Sequence, residues 1–199
     1  MVASKLSARV LASACAAAIA LSSIACASST PGTVMTKKVD TMREERTADK
    51  LLARGKAFAG VADWTRAEQY LAAAIDGGAD EREVMPMLLQ VCVEDRRYRV
   101  AVGYAEEFLR RHPADVPMHY VLATLDAAVG DAPSARANLE VVLAAHPKDA
   151  EPHYVLATVL RDARLDLVSM DYHFREYLRL APQGAHAEEA RASLLKTVP

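Results

Sequence analysis

The chain has 199 residues, of which 52% are hydrophobic and 6% aromatic, and its formal net charge is −2. This length allows one domain of ordinary size and a tail, and the small charge with no basic stripe argues against a nucleic-acid-binding protein. Alanine and leucine dominate while glycine is sparse, which favours packed helices.

Residues 1–25 have the features of a secretory signal peptide. A short start that carries Lys5 and Arg9 precedes an uncharged, apolar stretch from Val10 to Ala25, as in the charged and apolar regions of such signals. This stretch is shorter than the roughly 20 residues that a membrane span needs. No later segment is more apolar, so we expect a soluble body after cleavage.

The signal ends in Ser23-Ile24-Ala25-Cys26, which resembles the lipobox of bacterial lipoproteins. The resemblance implies that Cys26 becomes the first mature residue and carries the lipid, so that the protein is anchored in the cell envelope and faces the periplasm. Ala27 is not the aspartate that retains some lipoproteins in the inner membrane, which favours the outer membrane. The alternative is cleavage after Ala25-Cys26-Ala27, an A-x-A site that would release a soluble protein.

Residues 26–44 are predicted to form the lipidated cysteine and a flexible linker. Ser, Thr, Pro and Gly cluster between Ala27 and about Asp40, and no apolar period is present there. Such a segment would hold the folded body a few nanometres from the bilayer.

The body of the sequence repeats itself with a period of 34 residues. The string HYVLAT begins at His119 and again at His153, and Pro113 and Pro147 keep the same offset. A period of 34 indicates an array of helix–turn–helix units. One extra residue interrupts this period somewhere between Arg161 and Asp166.

This pattern resembles the tetratricopeptide repeat (TPR). The resemblance implies an all-α fold, a right-handed solenoid of about four helix–turn–helix repeats with a C-terminal capping helix. The solenoid would cover residues 45–182, in units of about 48–81, 82–115, 116–149 and 150–183, and the capping helix would cover 184–199. In the first unit the family's glycine, aromatic, alanine, large and second alanine positions are held by Gly55, Phe58, Ala67, Leu71 and Ala74.

The sequence contains no recognisable catalytic motif: there is no phosphate-binding glycine loop, CxxC pair, HExxH motif or glycine-flanked serine. His119 and His153 occupy equal repeat positions and are predicted to be structural, because no carboxylate or cysteine completes a ligand set. Cys92 lies among aliphatic residues and is expected to be a small buried hydrophobe. We therefore predict a protein that is not an enzyme and that uses no cofactor and no metal.

The resemblance also implies a concave groove, built from the first helix of each unit, that binds a protein or peptide partner. Tyrosine offers apolar area with a polar tip, which suits recognition; alternatively, Tyr120 and Tyr154 only pack between neighbouring units. The residues expected to line the groove are Leu52, Lys56, Met87, Gln90, Tyr120, Thr124, Tyr154, Thr158 and Arg161.

Together these features predict a non-catalytic adaptor or scaffold lipoprotein that assists assembly of an envelope complex. In outline it resembles the pilotins of secretins and the scaffold lipoproteins of motility and secretion systems. Two alternatives remain open. One is a soluble periplasmic TPR binding module without a lipid anchor, and the other is a metalloenzyme whose site forms from the repeated histidines at a dimer interface.

Overall fold

A computed structural model describes residues 47–196. The predicted signal peptide, Cys26 and the predicted linker lie outside the described residues, as do residues 197–199. Within the described range no helix is long and apolar enough to cross a membrane. The helices of this range are α1 (Ala48–Gly60), α2 (Trp64–Asp76), α3 (Glu81–Glu94), α4 (Tyr98–Arg111), α5 (Val116–Val129), α6 (Ala132–Ala145), α7 (Ala150–Asp162), α8 (Leu167–Leu180) and α9 (Ala187–Ser193).

The first eight helices form four successive helix–turn–helix units, α1–α2 to α7–α8, and each helix packs against the next along the chain. Such packing between sequence neighbours is the arrangement of a solenoid. The predicted all-α solenoid of four repeats, followed by a C-terminal helix, is therefore confirmed. Its buried side chains form one cluster over units 1 and 2 that extends into α5, and a second over units 3 and 4 that includes α9.

Aspartates begin many of the helices. The carboxylate of Asp80 accepts the Arg82 N–H at 2.9 Å, and that of Asp131 accepts the Ser134 N–H at 3.2 Å. A carboxylate at this position satisfies backbone donors that have no partner inside the helix. These two carboxylates therefore mark where α3 and α6 begin.

The helices within unit 1 cross closely at Gly55. This glycine is buried, and a Cβ atom placed on it would lie 2.8 Å from the Leu71 side chain and 3.2 Å from the Leu71 backbone nitrogen. Ala67 and Ala74 on α2 are fully buried in the same unit. Small residues at a helix crossing let two backbones approach, and α1 and α2 do so here.

The turns within the units repeat one backbone conformation. Ala62, Arg96, Gly130 and Arg164 lie 34 residues apart, and all four have positive φ, at 58°, 58°, 83° and 53°. Only glycine adopts this conformation readily, and other residues lose roughly 1–2 kcal/mol in it. In the first three units the helix-capping position follows this residue directly, whereas Leu165 intervenes in unit 4. Leu165 is thus the extra residue.

The capping helix is shorter than predicted. α9 covers Ala187–Ser193, and Leu194 is already extended, with φ −66° and ψ 142°. The chain leaves the helix at this point and the Leu195 N–H donates to the buried Asp171 carboxylate at 2.8 Å. Ala187 and Ala190 are buried against unit 4.

Candidate binding groove

The predicted groove residues lie on the first helices of the units, α1, α3, α5 and α7. At its N-terminal end, Lys56 and Glu83 are exposed, and the Lys56 ammonium lies 3.7 Å from the Glu83 carboxylate. Leu52 is half-buried and packs on the first core cluster. This end of the groove is therefore occupied by an ion pair between neighbouring units.

The middle of the groove, over units 2 and 3, carries no charge at the predicted positions. Gln90 and Thr124 are exposed, and Met87 and Tyr120 are half-buried. The Thr124 hydroxyl donates to the Val121 carbonyl of its own helix at 2.7 Å. We call Met87, Gln90, Tyr120 and Thr124 the open segment of the groove.

Tyr120 borders a recess of about 540 Å³ at the edge of the open segment. Its hydroxyl makes no hydrogen bond to any residue of the described range, and burial, with the nearby charge of Glu151, raises the pKa of Tyr120. A half-buried phenol in this state offers a donor to an incoming acceptor. The other residues that line the recess are Val116, Pro117, Val142, His146, Lys148, Asp149, Ala150, Glu151 and Pro152.

The place that corresponds to this recess one unit earlier, between units 2 and 3, is polar and contains ion pairs. There Arg82 reaches Asp115 at 2.7 Å, and Glu81 pairs with Arg111 and His112. Val116 stands 34 residues after Arg82, so the same pair cannot form one unit later. A recess of about 560 Å³ lies between units 2 and 3 as well, so the two places differ in the ion pairs at their walls and not in the space they enclose.

At the C-terminal end the cap occupies the groove. The Tyr154 ring stacks on His186 with centroids 4.0 Å apart, and its hydroxyl donates to Glu189 at 2.7 Å. The Arg161 guanidinium donates to the same carboxylate at 2.9 Å. Burial and the hydrogen bond of Tyr154 to Glu189 raise the pKa of Tyr154 to about 12. Both tyrosine rings pack against the second core cluster, and they differ at the hydroxyl, which bonds to Glu189 in Tyr154 and to no residue of the described range in Tyr120.

Thr158, also predicted in the groove, is half-buried. Its hydroxyl donates to the Val155 carbonyl at 2.7 Å, as Thr124 does to Val121 one unit earlier. Tyr154 and Arg161 of unit 4 therefore bond to the chain's own cap, whereas the threonine hydroxyls of units 3 and 4 bond to their own helices.

The repeated histidines hold the loops between units. His119 and His153 each place Nε2 against a proline carbonyl, Pro113 at 3.1 Å and Pro147 at 3.2 Å. His119 Nδ1 lies 2.8 Å from the Asn138 side-chain oxygen. Both ring nitrogens are thus taken up by protein atoms, and no group of three His, Cys, Asp or Glu that could hold a metal is found among residues 47–196.

In unit 4 a second histidine replaces the asparagine. The Nδ1 atoms of His153 and His173 lie 2.9 Å apart, so one ring donates to the other. Burial, together with the neighbouring His153, lowers the pKa of His173 to about 4. The His173 ring is therefore neutral at neutral pH.

Two other buried polar groups lie inside the solenoid. Asp126 is buried and accepts from the Asn138 amide at 3.0 Å, and burial raises its pKa to about 6. Cys92 is fully buried, as expected, and burial raises the pKa of its thiol to about 11. Neither group borders the open segment, so both are structural.

Sequence reasoning missed the partners that close the C-terminal end of the groove, His186 and Glu189. The cap was expected to bury its alanines and to leave its acids outside. The available signal was Arg161, a lone cation on the groove face that needs a carboxylate.

No protein-family model and no curated protein matches this sequence. Solved structures do match the fold. YrrB, described as a TPR protein with an unusual peptide-binding site, has a TM-score of 0.62 at 14% identity, over 80% of this chain and 88% of that one. A TPR protein from Parabacteroides merdae has 0.65 at 16% identity, over 73% of this chain and 58% of that one. MamA from Desulfovibrio magneticus RS-1 has 0.58 at 16% identity, over 77% and 86%. The chain therefore has the TPR fold.

Proposed function

We propose that this chain is a non-catalytic adaptor that holds a protein or peptide partner in the open segment of its groove. The observation that carries the proposal is Tyr120, a half-buried phenol beside a recess, whose hydroxyl has no partner in the described part of the chain. Met87, Gln90 and Thr124 extend the same surface with apolar area and hydrogen-bonding groups.

The chemistry of the open segment indicates the partner. An extended peptide with one apolar side chain for the recess and a backbone carbonyl for the Tyr120 hydroxyl would satisfy both features. The ends of the groove are already paired, Lys56 with Glu83 and Arg161 with Glu189. Charged side chains of the partner therefore contribute little, and recognition rests on the uncharged middle.

We further propose that the adaptor is anchored by lipid on Cys26, in the bacterial envelope and facing the periplasm at the outer membrane. The support is the lipobox resemblance at the end of the signal. Several acyl chains would hold the protein stably, since each buried methylene contributes about 0.8 kcal/mol. In this setting the adaptor would assist assembly of an envelope complex.

The anchor is tested by metabolic labelling with a fatty acid. We expect label on the wild type and none on Cys26→Ala. If the wild type takes no label, the protein is the soluble periplasmic module instead, and the groove proposal is unaffected.

The groove is tested by affinity capture from detergent-solubilised membranes. Tyr120→Ala removes both the phenol and one wall of the recess, so we expect loss of at least 90% of the captured partner, on the order of the tenfold change that 1.4 kcal/mol gives. Tyr172→Ala, on the outer face of α8 and 55% exposed, is the matched control and should capture as the wild type does. Equal capture by Tyr120→Ala and wild type would overturn the proposal. Tyr154 is unsuitable as a probe, because its loss would also release the cap.

A further inference from the structure

The turn between α7 and α8 presents an apolar tip. Leu165 lies in this turn, Leu167 and Val168 begin α8, and the three side chains are 49%, 51% and 50% exposed. Single exposed aliphatic residues are ordinary on protein surfaces, but three within four positions of the chain form a patch of the kind found at interaction sites. One of them, Leu165, is the residue that unit 4 has gained relative to the other units.

Arginine stands beside these aliphatic residues. Arg164 has φ 53°, and its equivalents Arg96 and Gly130 in units 2 and 3 also have positive φ. Arg164 is exposed and pairs with no carboxylate of residues 47–196. The nearby acids are engaged, since Asp162 accepts from Arg161 at 2.8 Å and Asp166 caps α8 through Ser169. The positive φ therefore belongs to the repeat, and unit 4 differs in placing an exposed cation next to exposed aliphatic side chains.

We propose that this tip, Arg164 with Leu165, Leu167 and Val168, enters the surface of the bilayer to which the protein is tethered. Aliphatic side chains partition into the boundary between headgroups and acyl chains, and arginine keeps its charge at the phosphates while its stem lies along apolar surface. The proposal rests on the lipid anchor at Cys26 for its setting.

The predicted linker after Cys26 is long enough for the folded body to bring its surface to the bilayer. Twenty residues, 27–46, separate Cys26 from the first described residue, and a chain of that length spans at most about 70 Å. The longest helices of the described range have 14 residues and are about 21 Å long, so the contour length available to the linker exceeds theirs about threefold. An anchored body meets the membrane at high effective concentration, which allows a weak contact to orient the groove.

The experiment uses residues 26–199 with Cys26→Ala, which retains all described helices but accepts no lipid. Flotation with vesicles of phosphatidylglycerol and phosphatidylcholine measures the partition coefficient, and pure phosphatidylcholine vesicles separate the charge from the apolar contribution. We expect this parent protein, in which the tip is unchanged, to bind the vesicles. The double variant Leu165→Asp, Val168→Asp should bind at least tenfold more weakly, because a charge replaces each inserted aliphatic group.

Arg164→Gly separates the membrane contact from folding. It should lower partition to the phosphatidylglycerol vesicles about fivefold, the effect of about 1 kcal/mol per arginine near an anionic surface, while leaving Tm unchanged or higher because glycine relieves the positive φ. Val141→Asp, at a 42% exposed valine on the outer face of α6, is the control and should bind within twofold of the parent.

Absence of parent binding to both kinds of vesicle would overturn the proposal, and so would an equal loss in Val141→Asp. Since Cys26 is already replaced in this material, neither result bears on fatty-acid labelling. Failure of the tip and failure of the anchor are therefore distinguishable.

Discussion

The histidine pair of unit 4 makes the fold sensitive to acid in a way that one substitution should remove. His173→Asn installs the residue that unit 3 carries at the equivalent place, Asn138, where it already bonds His119. An amide can donate to His153 Nδ1 while His153 Nε2–H donates to the Pro147 carbonyl, as it does now. The substitution therefore keeps a partner for His153 and takes away the titrating ring.

The expected magnitude follows from the pKa of His173. Burial lowers it to about 4 in the folded protein, whereas an unfolded histidine has a pKa of about 6.5. Above 6.5 both states are neutral and the ring has no effect on stability. As the pH falls, the unfolded chain takes up a proton that the folded protein refuses, so the free energy of unfolding decreases until about pH 4. A pKa difference of about 2.5 corresponds to at most about 3 kcal/mol.

Urea unfolding followed by far-UV circular dichroism at about pH 7 and about pH 4.5 measures this effect. The quantity of interest is the difference between variant and wild type, because it cancels other titrating groups. Relative to wild type, His173→Asn should gain about 2–3 kcal/mol between the two pH values. His146→Asn, at an exposed histidine, should gain nothing. A parallel loss of stability in wild type and His173→Asn would refute the assignment of His173 as a buried, neutral ring.

Three further predictions concern other buried positions. Burial raises the pKa of Asp126 to about 6, so the free energy of unfolding of the wild type decreases as the pH rises from about 4 to 6. Relative to wild type, Asp126→Asn should therefore gain about 2–3 kcal/mol in the free energy of unfolding between those pH values in the same urea assay. Gly55→Ala should lower the free energy of unfolding by about 1–2 kcal/mol despite alanine's helix propensity, because the added Cβ would lie 2.8 Å from Leu71. The control is Gly103→Ala, where the added Cβ meets open space, and it should raise the free energy of unfolding by about 0.5–1 kcal/mol. Cys92, whose thiol pKa is raised to about 11, should react with iodoacetamide only in denaturant, as mass spectrometry would detect.

The fold could be predicted because its causes are local and repeated. Aspartate before a helix, proline after one and small residues at the crossings each act within a few residues, and they recur with one period. The strings that begin at His119 and His153 already fixed the register of units 3 and 4. The end of α9 was harder to foresee, because the Leu195 N–H leaves the helix for Asp171, a residue 24 positions earlier.

The sequence predicted which residues lie on the groove surface, but it did not predict which of them would be paired with other residues of the chain. A position on the first helix of a unit shows which way a side chain points, and this was enough to select Tyr120 and Tyr154 together. Whether each hydroxyl is paired depends on the element that follows its unit, and the cap places Glu189 against Tyr154. No residue of the described range accepts from the Tyr120 hydroxyl, so two residues with the same repeat position have different roles.

This contrast has a general cause in a repeat protein. Residues that recur every 34 positions are those that pack one unit on the next, so they carry the fold and cannot by themselves distinguish one partner from another. Recognition has to come from places where the period is broken. Here the breaks are Val116 in place of Arg82, which leaves the recess beside Tyr120 without the ion pair seen one unit earlier, and the inserted Leu165 beside Arg164, which adds an exposed aliphatic side chain. The proposed partner site and the proposed membrane contact both lie at these two departures from the repeat.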